Sequence, residues 1–295
     1  MKHVIFAVIA SLSLSSASTA KDSDRALVLP DDHIIAVTIN GQSFKLFVDP
    51  DIGGSRVLNA DAAIKLGLKG SMIGGRHMVG PVKLTANSNV LSYDFGDVID
   101  KKRTFWLADG AATERAEGTI APAALPYSVV RFQLSEAVAG EKIYTLPLAD
   151  DGKNAVLMVG ENSVAVGFNL FRNETLVTAS TGVLMADTYQ GAFDGDSVAT
   201  MIRYGIERPT RPLKLKQAID IGGLPLDQML VRVSDFGDAS QIADSADMDQ
   251  DEIVVTATAK KKPRYLMTLG RDFLSRCSAL TFDAKAKQVH MRCAL

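Results

Sequence analysis

A chain of 295 residues, 47% hydrophobic and 22% charged, is long enough for one large domain or two of ordinary size, with the composition of a globular protein. Its net charge of −2 supplies no basic excess, which excludes binding to nucleic acid or an anionic membrane through overall charge. The first 20 residues stand apart. Lys2 and His3 make a short basic start, residues 4–14 are apolar apart from serines, and Ser18-Thr19-Ala20 has the small residues of a cleavage site. Residues 1–20 therefore read as a signal peptide, with Lys21 opening the mature chain. The apolar run is shorter than the about 20 residues that span a bilayer, and no later stretch is long and apolar enough to do so. The expectation is a periplasmic or secreted protein, cleaved near Ala20, without stable membrane insertion.

Beyond that point the texture is one of short alternating or β-branched runs, at 33–39, 43–48, 90–95, 155–159, 163–168 and 228–233, separated by Gly, Asn and Asp. Helical spacing is scarce. The clearest case is 59–66, where Asn59 or Asp61 suits a cap and Ala62, Ala63 and Leu66 share one face. The chain is expected to be mainly antiparallel β.

An internal repeat organises it. Ile35-Ala36-Val37-Thr38-Ile39-Asn40 aligns with Val164-Ala165-Val166-Gly167-Phe168-Asn169 at an offset of 129, which sets Asp49 on Thr178, Asp51 on Ser180 and Gly53 on Gly182. A second anchor, Gly118-Thr119-Ile120-Ala121-Pro122 with Leu125, aligns with Met267-Thr268-Leu269-Gly270-Arg271 with Leu274 at an offset of 149. The second half has thus gained 20 residues, placed at about 239–262, where charge blocks suggest a solvated loop. An N-terminal lobe over 31–147 and a C-terminal lobe over 155–295 follow, joined at 150–154. The only cysteines, Cys277 and Cys293, fall opposite each other if the intervening strands form a hairpin centred on Lys285. In an oxidising compartment they are expected to bridge.

Val37-Thr38-Ile39-Asn40-Gly41, seven residues, Asp49, and then Leu66-Gly67-Leu68 resembles the start of retropepsin-like and pepsin-like aspartic peptidases. Thr268-Leu269-Gly270-Arg271-Asp272-Phe273-Leu274 resembles the apolar-apolar-Gly element that packs behind each catalytic loop, and Thr119-Ile120-Ala121-Pro122 resembles a degenerate copy. The resemblance implies a bilobal β fold with a cleft between two aspartic-peptidase-like lobes. It also implies one carboxylate per lobe sharing a proton, a hydroxyl after each Asp to tie the loops together, and a Gly for close backbone approach.

The pattern is incomplete. In Phe47-Val48-Asp49-Pro50-Asp51-Ile52-Gly53, strand register favours Asp49 as the cleft-facing acid and the Asp-x-Gly match favours Asp51, yet neither is followed by a hydroxyl residue. In Leu176-Val177-Thr178-Ala179-Ser180-Thr181-Gly182, Thr178 or Ser180 takes the place of the second aspartate, with Thr181 and Gly182 completing the loop. The reading is a periplasmic binder of extended peptides or proteins with a degenerate dyad. The alternative is an aspartic-type endopeptidase using Asp49 and Asp51. Histidines 33, 77 and 290 lie far apart without ligand-spaced partners, so neither metal nor cofactor is expected. Within the inserted stretch, Asp251-Glu252-Ile253-Val254-Val255-Thr256-Ala257 resembles the TonB box of outer-membrane receptors, which TonB grips as an added strand. TonB is therefore an expected partner through 251–257.

Overall fold

The computed structural model describes residues 25–70, 74–108, 110–245 and 264–294. The expected signal peptide and the TonB-box-like segment 251–257 lie outside the described residues. The chain is mainly β and two-lobed, as expected, with a seven-stranded sheet in the first lobe, an eight-stranded sheet in the second and a five-stranded sheet shared between them.

Each lobe is built on the same local device. Strands Ile34–Ile39 and Gln42–Val48 pair as a hairpin, and Asn40 and Gly41 both take positive φ, 47° and 85°, the turn whose twist suits the flanking strands. Val48 then runs parallel to Gly118–Ile120, and Arg56–Leu58 flanks the other side of that strand in the antiparallel sense. Residues 49–55 must therefore cross over the end of Gly118–Ile120. Lobe two repeats this with the hairpin Ala155–Val159 and Asn162–Phe168, the central strand Leu266–Leu269 and the returning strand Leu176–Thr178.

The register of these pairs corrects the first anchor of the repeat. Val48 pairs with Ile120 and Phe168 with Leu269, so residue 48 corresponds to 168 and the offset is 120, not 129. The counterpart of Asn40-Gly41 is Gly160-Glu161, with Gly160 at φ 57°. Both strands of a half-buried hairpin carry the same period of two, so an apolar run matches either strand equally well. The second anchor stands, because Ile120 and Leu269 are partners in corresponding pairs.

Most of the extra length in lobe two follows Arg232, since Val57 pairs with Phe105 where Leu176 pairs with Leu230. The start of that stretch is not a solvated loop. Ala239 and Ile242 are buried, and Phe193 N donates to Ala243 O at 2.8 Å.

Two further elements depart from expectation. The helix Ala60–Lys65 forms behind Asn59, but the Asn59 side chain does not cap it. Asn59 Oδ1 accepts from Ala112 N and Thr113 N, and Nδ2 donates to Thr113 O and Ala116 O, pinning a neighbouring loop instead. The second is a helix over Ala179–Tyr189, capped at Thr178, where a catalytic loop was expected. Among the described residues no helix is long and apolar enough to cross a membrane.

The shared sheet runs Ala26–Val28, Val129–Gln133, Cys277–Asp283, Gln288–Cys293, Lys142–Pro147, so the final hairpin of the second half is inserted between strands of the first, and 129–133 pairs directly with the central strand 277–283. Phe132 and Phe282 meet edge-on at 6.0 Å and Phe282 meets Phe168 at 5.6 Å, carrying one apolar core from the first lobe's end of this sheet into the second lobe. Cys277 stands opposite Cys293 in the final hairpin and the two are bonded. The bridge closes a 16-residue separation, which in chain-entropy terms is worth about 3 kcal/mol. A Cys277→Ala/Cys293→Ala variant should lose roughly that stability in urea titration; an unchanged midpoint would show that the sheet holds the hairpin without it.

Candidate functional site

The two crossing loops meet. In lobe one, Asp49 N donates to Ile120 O at 3.0 Å, and Asp49 Oδ1 accepts from Asp51 N at 2.9 Å. In lobe two, Asn169 N donates to Leu269 O at 2.9 Å, and Asn169 Oδ1 accepts from Phe171 N at 3.0 Å. The backbone anchor and the side-chain turn are the same in each, so Asn169 is the structural counterpart of Asp49. Pro50, buried within the first turn, has no N–H to satisfy there, so it fits a position where a donor would be stranded. Gly270 lies against the backbone of Glu174 with no room for a Cβ, which lets the lobe-two loop sit on its central strand.

Thr178, Ser180, Thr181 and Gly182 do not occupy the counterpart position, and the assignment made from the sequence is corrected here. Thr178 takes the N-cap position of the Ala179–Tyr189 helix, the position Asn59 holds in lobe one, and its side chain accepts from Thr181 N where that of Asn59 makes no cap bond. Thr178 Oγ1 donates to Arg264 O at 2.9 Å and lies 2.8 Å from Thr181 Oγ1. Thr181 Oγ1 in turn bonds both N and O of Leu266, the Ser180 hydroxyl donates to Phe236 O, and Gly182 is packed against Val231. Thr178 begins a helix well because its hydroxyl accepts from Thr181 N, one of the helix's first free N–H groups. The sequence signal that identifies Asn169 is the pair of apolar residues and Asx at the end of the hairpin's second strand, Gly167-Phe168-Asn169 beside Phe47-Val48-Asp49.

Asp51 turns its carboxylate into lobe two. Asn169 Nδ2 donates to Asp51 Oδ2 at 2.9 Å, Arg203 Nη2 is 3.1 Å from the same oxygen and Arg172 Nη2 is 3.9 Å away. Arg203 also donates to the Asp51 carbonyl. Burial works against the Arg203 charge, but the carboxylate of Asp51 outweighs it and holds the guanidinium above its usual range. Asp49 behaves oppositely. Burial first, and then the Asp51 charge, push its carboxyl up to about 6.

A second buried carboxylate lies behind the same wall. Asp235 accepts from Arg208 Nη2 at 3.0 Å and from Arg232 Nε at 2.9 Å. Burial alone would raise it, but these guanidinium bonds keep it below the ordinary carboxylate range. The turn of the hairpin Gly75–Val79 and Val82–Asp94 reaches it from lobe one: Gly80, at φ 60°, lies so close to the Asp235 carboxylate that a Cβ would overlap it. Between these contacts lies a pocket of about 350 Å³, walled by Asp51, Ile52 and Gly53, by Met78 and Val79 from the reaching hairpin, and by Arg172, Arg203, Arg232, Arg264, Tyr204 and Phe236 from lobe two.

No protein-family model matches the sequence, and no curated protein matches it. Among solved structures the chain is similar to an aspartic proteinase from Irpex lacteus, at 10% identity and a TM-score of 0.43 over 88% of this chain and 94% of that one. It is also similar to the EIAV protease complexed with the inhibitor HBY-793, at 14% identity and a TM-score of 0.23 over 30% of this chain and 79% of that one. The duplicated crossing loops within the chain itself are what define the fold.

The raised Asp49 has a definite sign in stability. Its folded value of about 6 exceeds the unfolded 3.8, so between those pH values the native state binds more protons than the unfolded state and stability falls as pH rises. Asn at this position keeps the acceptor for Asp51 N without the charge. Asp49→Asn should therefore raise the melting temperature at pH 7.5 and leave it nearly unchanged at about pH 3.5; equal effects at the two pH values would show that Asp49 titrates normally.

Proposed function

We propose that the chain is an exported aspartic-peptidase-like protein that holds an extended peptide or protein segment between its lobes without cleaving it. The observation that carries this reading is the bond from Asn169 to Asp51. Aspartic catalysis needs two carboxylates that share a proton, one acting as base on water while the other stays protonated. Asn169 stands where the second lobe would supply its carboxylate, and an amide neither ionises nor shares a proton in this way. Asp51 is in turn committed to Arg203 and Asn169.

A peptide suits the cleft because two strand edges end at it. Gly75–Val79 is bonded only to Val82–Asp94, and Val198–Arg203 only to Ile206–Ile221, among the described residues. Met78, Val79 and Arg203 at the ends of those strands are on the pocket wall. An unpaired edge offers alternating N–H and C=O groups to an added strand.

A second reading, an endopeptidase acting through Asp49 and Asp51, draws on the raised carboxyl of Asp49 next to a second carboxyl group, since an acid that stays protonated is one half of an acid–base pair. Against it, Asp49 is not on the pocket wall, whereas Asp51 is. The two readings separate on unfolded casein incubated from about pH 3 to 7. No cleavage is expected, with labelled peptides retained by the intact chain. Pepstatin-sensitive cleavage abolished by Asp49→Asn or Asp51→Asn would establish the endopeptidase and overturn the binding role.

Export after cleavage near Ala20 and a contact with TonB through residues 251–257 belong to this proposal and rest on the sequence alone. Deleting 251–257 should abolish co-purification with TonB from solubilised envelopes. If the intact chain retains no TonB in the same experiment, that partner is wrong.

A further inference from the structure

The wall of the cleft is cationic. Four guanidinium groups, those of Arg172, Arg203, Arg232 and Arg264, line the pocket against one lining carboxylate, Asp51. Asp51 is taken up by Arg203 and Arg172, and Asp235, behind the wall, by Arg232 and Arg208. Asp49 and Asp51 together offset Arg203 and Arg172, whereas Asp235 is outnumbered by Arg232 and Arg208, so the arginines around the pocket exceed its acids. Arg264 is left over: it is exposed, and among the described residues it has no carboxylate partner.

Arg264 is nonetheless held in place. Its carbonyl accepts from Thr178 Oγ1 at the start of the lobe-two helix, and its guanidinium lies 5.6 Å from the Phe236 ring, whose other guanidinium neighbour is Arg232 at 5.8 Å. A guanidinium steadied near an aromatic ring keeps N–H groups free for a second partner. The acceptor that matches its planar fork is a carboxylate, bound through two parallel bonds. Beside it Met78 and Leu266 present exposed apolar surface, which suits the stem of a side chain more than a bare inorganic ion.

We propose that the cleft selects peptides bearing a carboxylate, an acidic side chain or a free C-terminus, seated on Arg264. This rests on the peptide-binding reading above and adds to it the charge of the ligand. Fluorescent peptides of one sequence would be compared by anisotropy on the mature chain in three forms: central Glu with an amidated end, central Gln with an amidated end, and central Gln with a free end. One or both carboxylate forms should bind about tenfold tighter than the Gln amide, and which of them does so identifies the source of the charge. That advantage should shrink as salt rises from about 50 to 300 mM. Arg264→Gln should reduce it to within about twofold, and Arg264→Lys should keep only part of it because the fork is lost.

Equal binding of all three forms would overturn the charge preference while leaving peptide binding intact. A preference undiminished in both Arg264 variants would overturn the seat. Failure of every form to bind at about 1 mM would overturn the peptide reading itself, and the charge proposal with it.

Discussion

A carboxylate withdrawn from water costs several kcal/mol unless hydrogen bonds and opposite charge replace its hydration, and Asp51 is such a group, placed where the two lobes touch. All three side chains within reach of its Oδ2 come from lobe two: Asn169, Arg203 and Arg172. Separating the lobes would strand Asp51 on one side and two guanidinium groups on the other. The contact therefore fixes lobe against lobe at the crossing loops. Asn169 is the residue that permits this. An aspartate there would set a second carboxylate within 2.9 Å of the first, and two such groups do not both ionise at neutral pH. The amide at 169 instead donates to Asp51, so the loop of lobe two fastens the carboxylate where a second acid would repel it.

The second charged centre follows the same logic farther out. Asp235 gathers Arg208 and Arg232 in lobe two, and the lobe-one hairpin closes on it at Gly80, the one residue type without a side chain to collide with the carboxylate. The pocket is bounded by these two fastenings. Since Asp235 takes two arginines for one acid and Arg264 adds a further guanidinium to the wall, the space between them inherits a positive field as a consequence of how the lobes are joined. Low-dielectric walls strengthen such a field, so the charge of any occupant is constrained by the same contacts that shape the cavity.

Much of the fold was legible in the sequence, because it depends on local chemistry. Asn40-Gly41 specifies a hairpin turn, Cys277 and Cys293 flank a polar turn at equal distances, and Thr268-Leu269-Gly270 marks a strand ending where backbone passes close by. The repeat was legible too, but not its register, since period-two alternation gives no preference between neighbouring strands of a hairpin and the shared Asn of 40 and 169 favoured the wrong match. That slip carried the second site residue nine positions along, onto Thr178, whose hydroxyl suits a helix start as well as a catalytic loop. The arginines were invisible for a different reason. Arg172, Arg203, Arg232 and Arg264 come from separate strands and loops, and only the folding of lobe two brings them onto one wall.

Asp49 and Asn169 show how little separates a fold from its chemistry. Both end the second strand of a hairpin, both take a backbone bond from the residue two places on, and both are anchored to the same point of the central strand. Aspartate and asparagine are equivalent in that turn because it uses only the Oδ1 acceptor. The remaining atom decides everything else. As an oxygen it can hold or share a proton; as an NH2 group it donates to Asp51 and binds the lobes together. Selection on the turn alone would accept either residue, so the turn survives exchange of one for the other while a negative charge at the lobe contact is gained or lost.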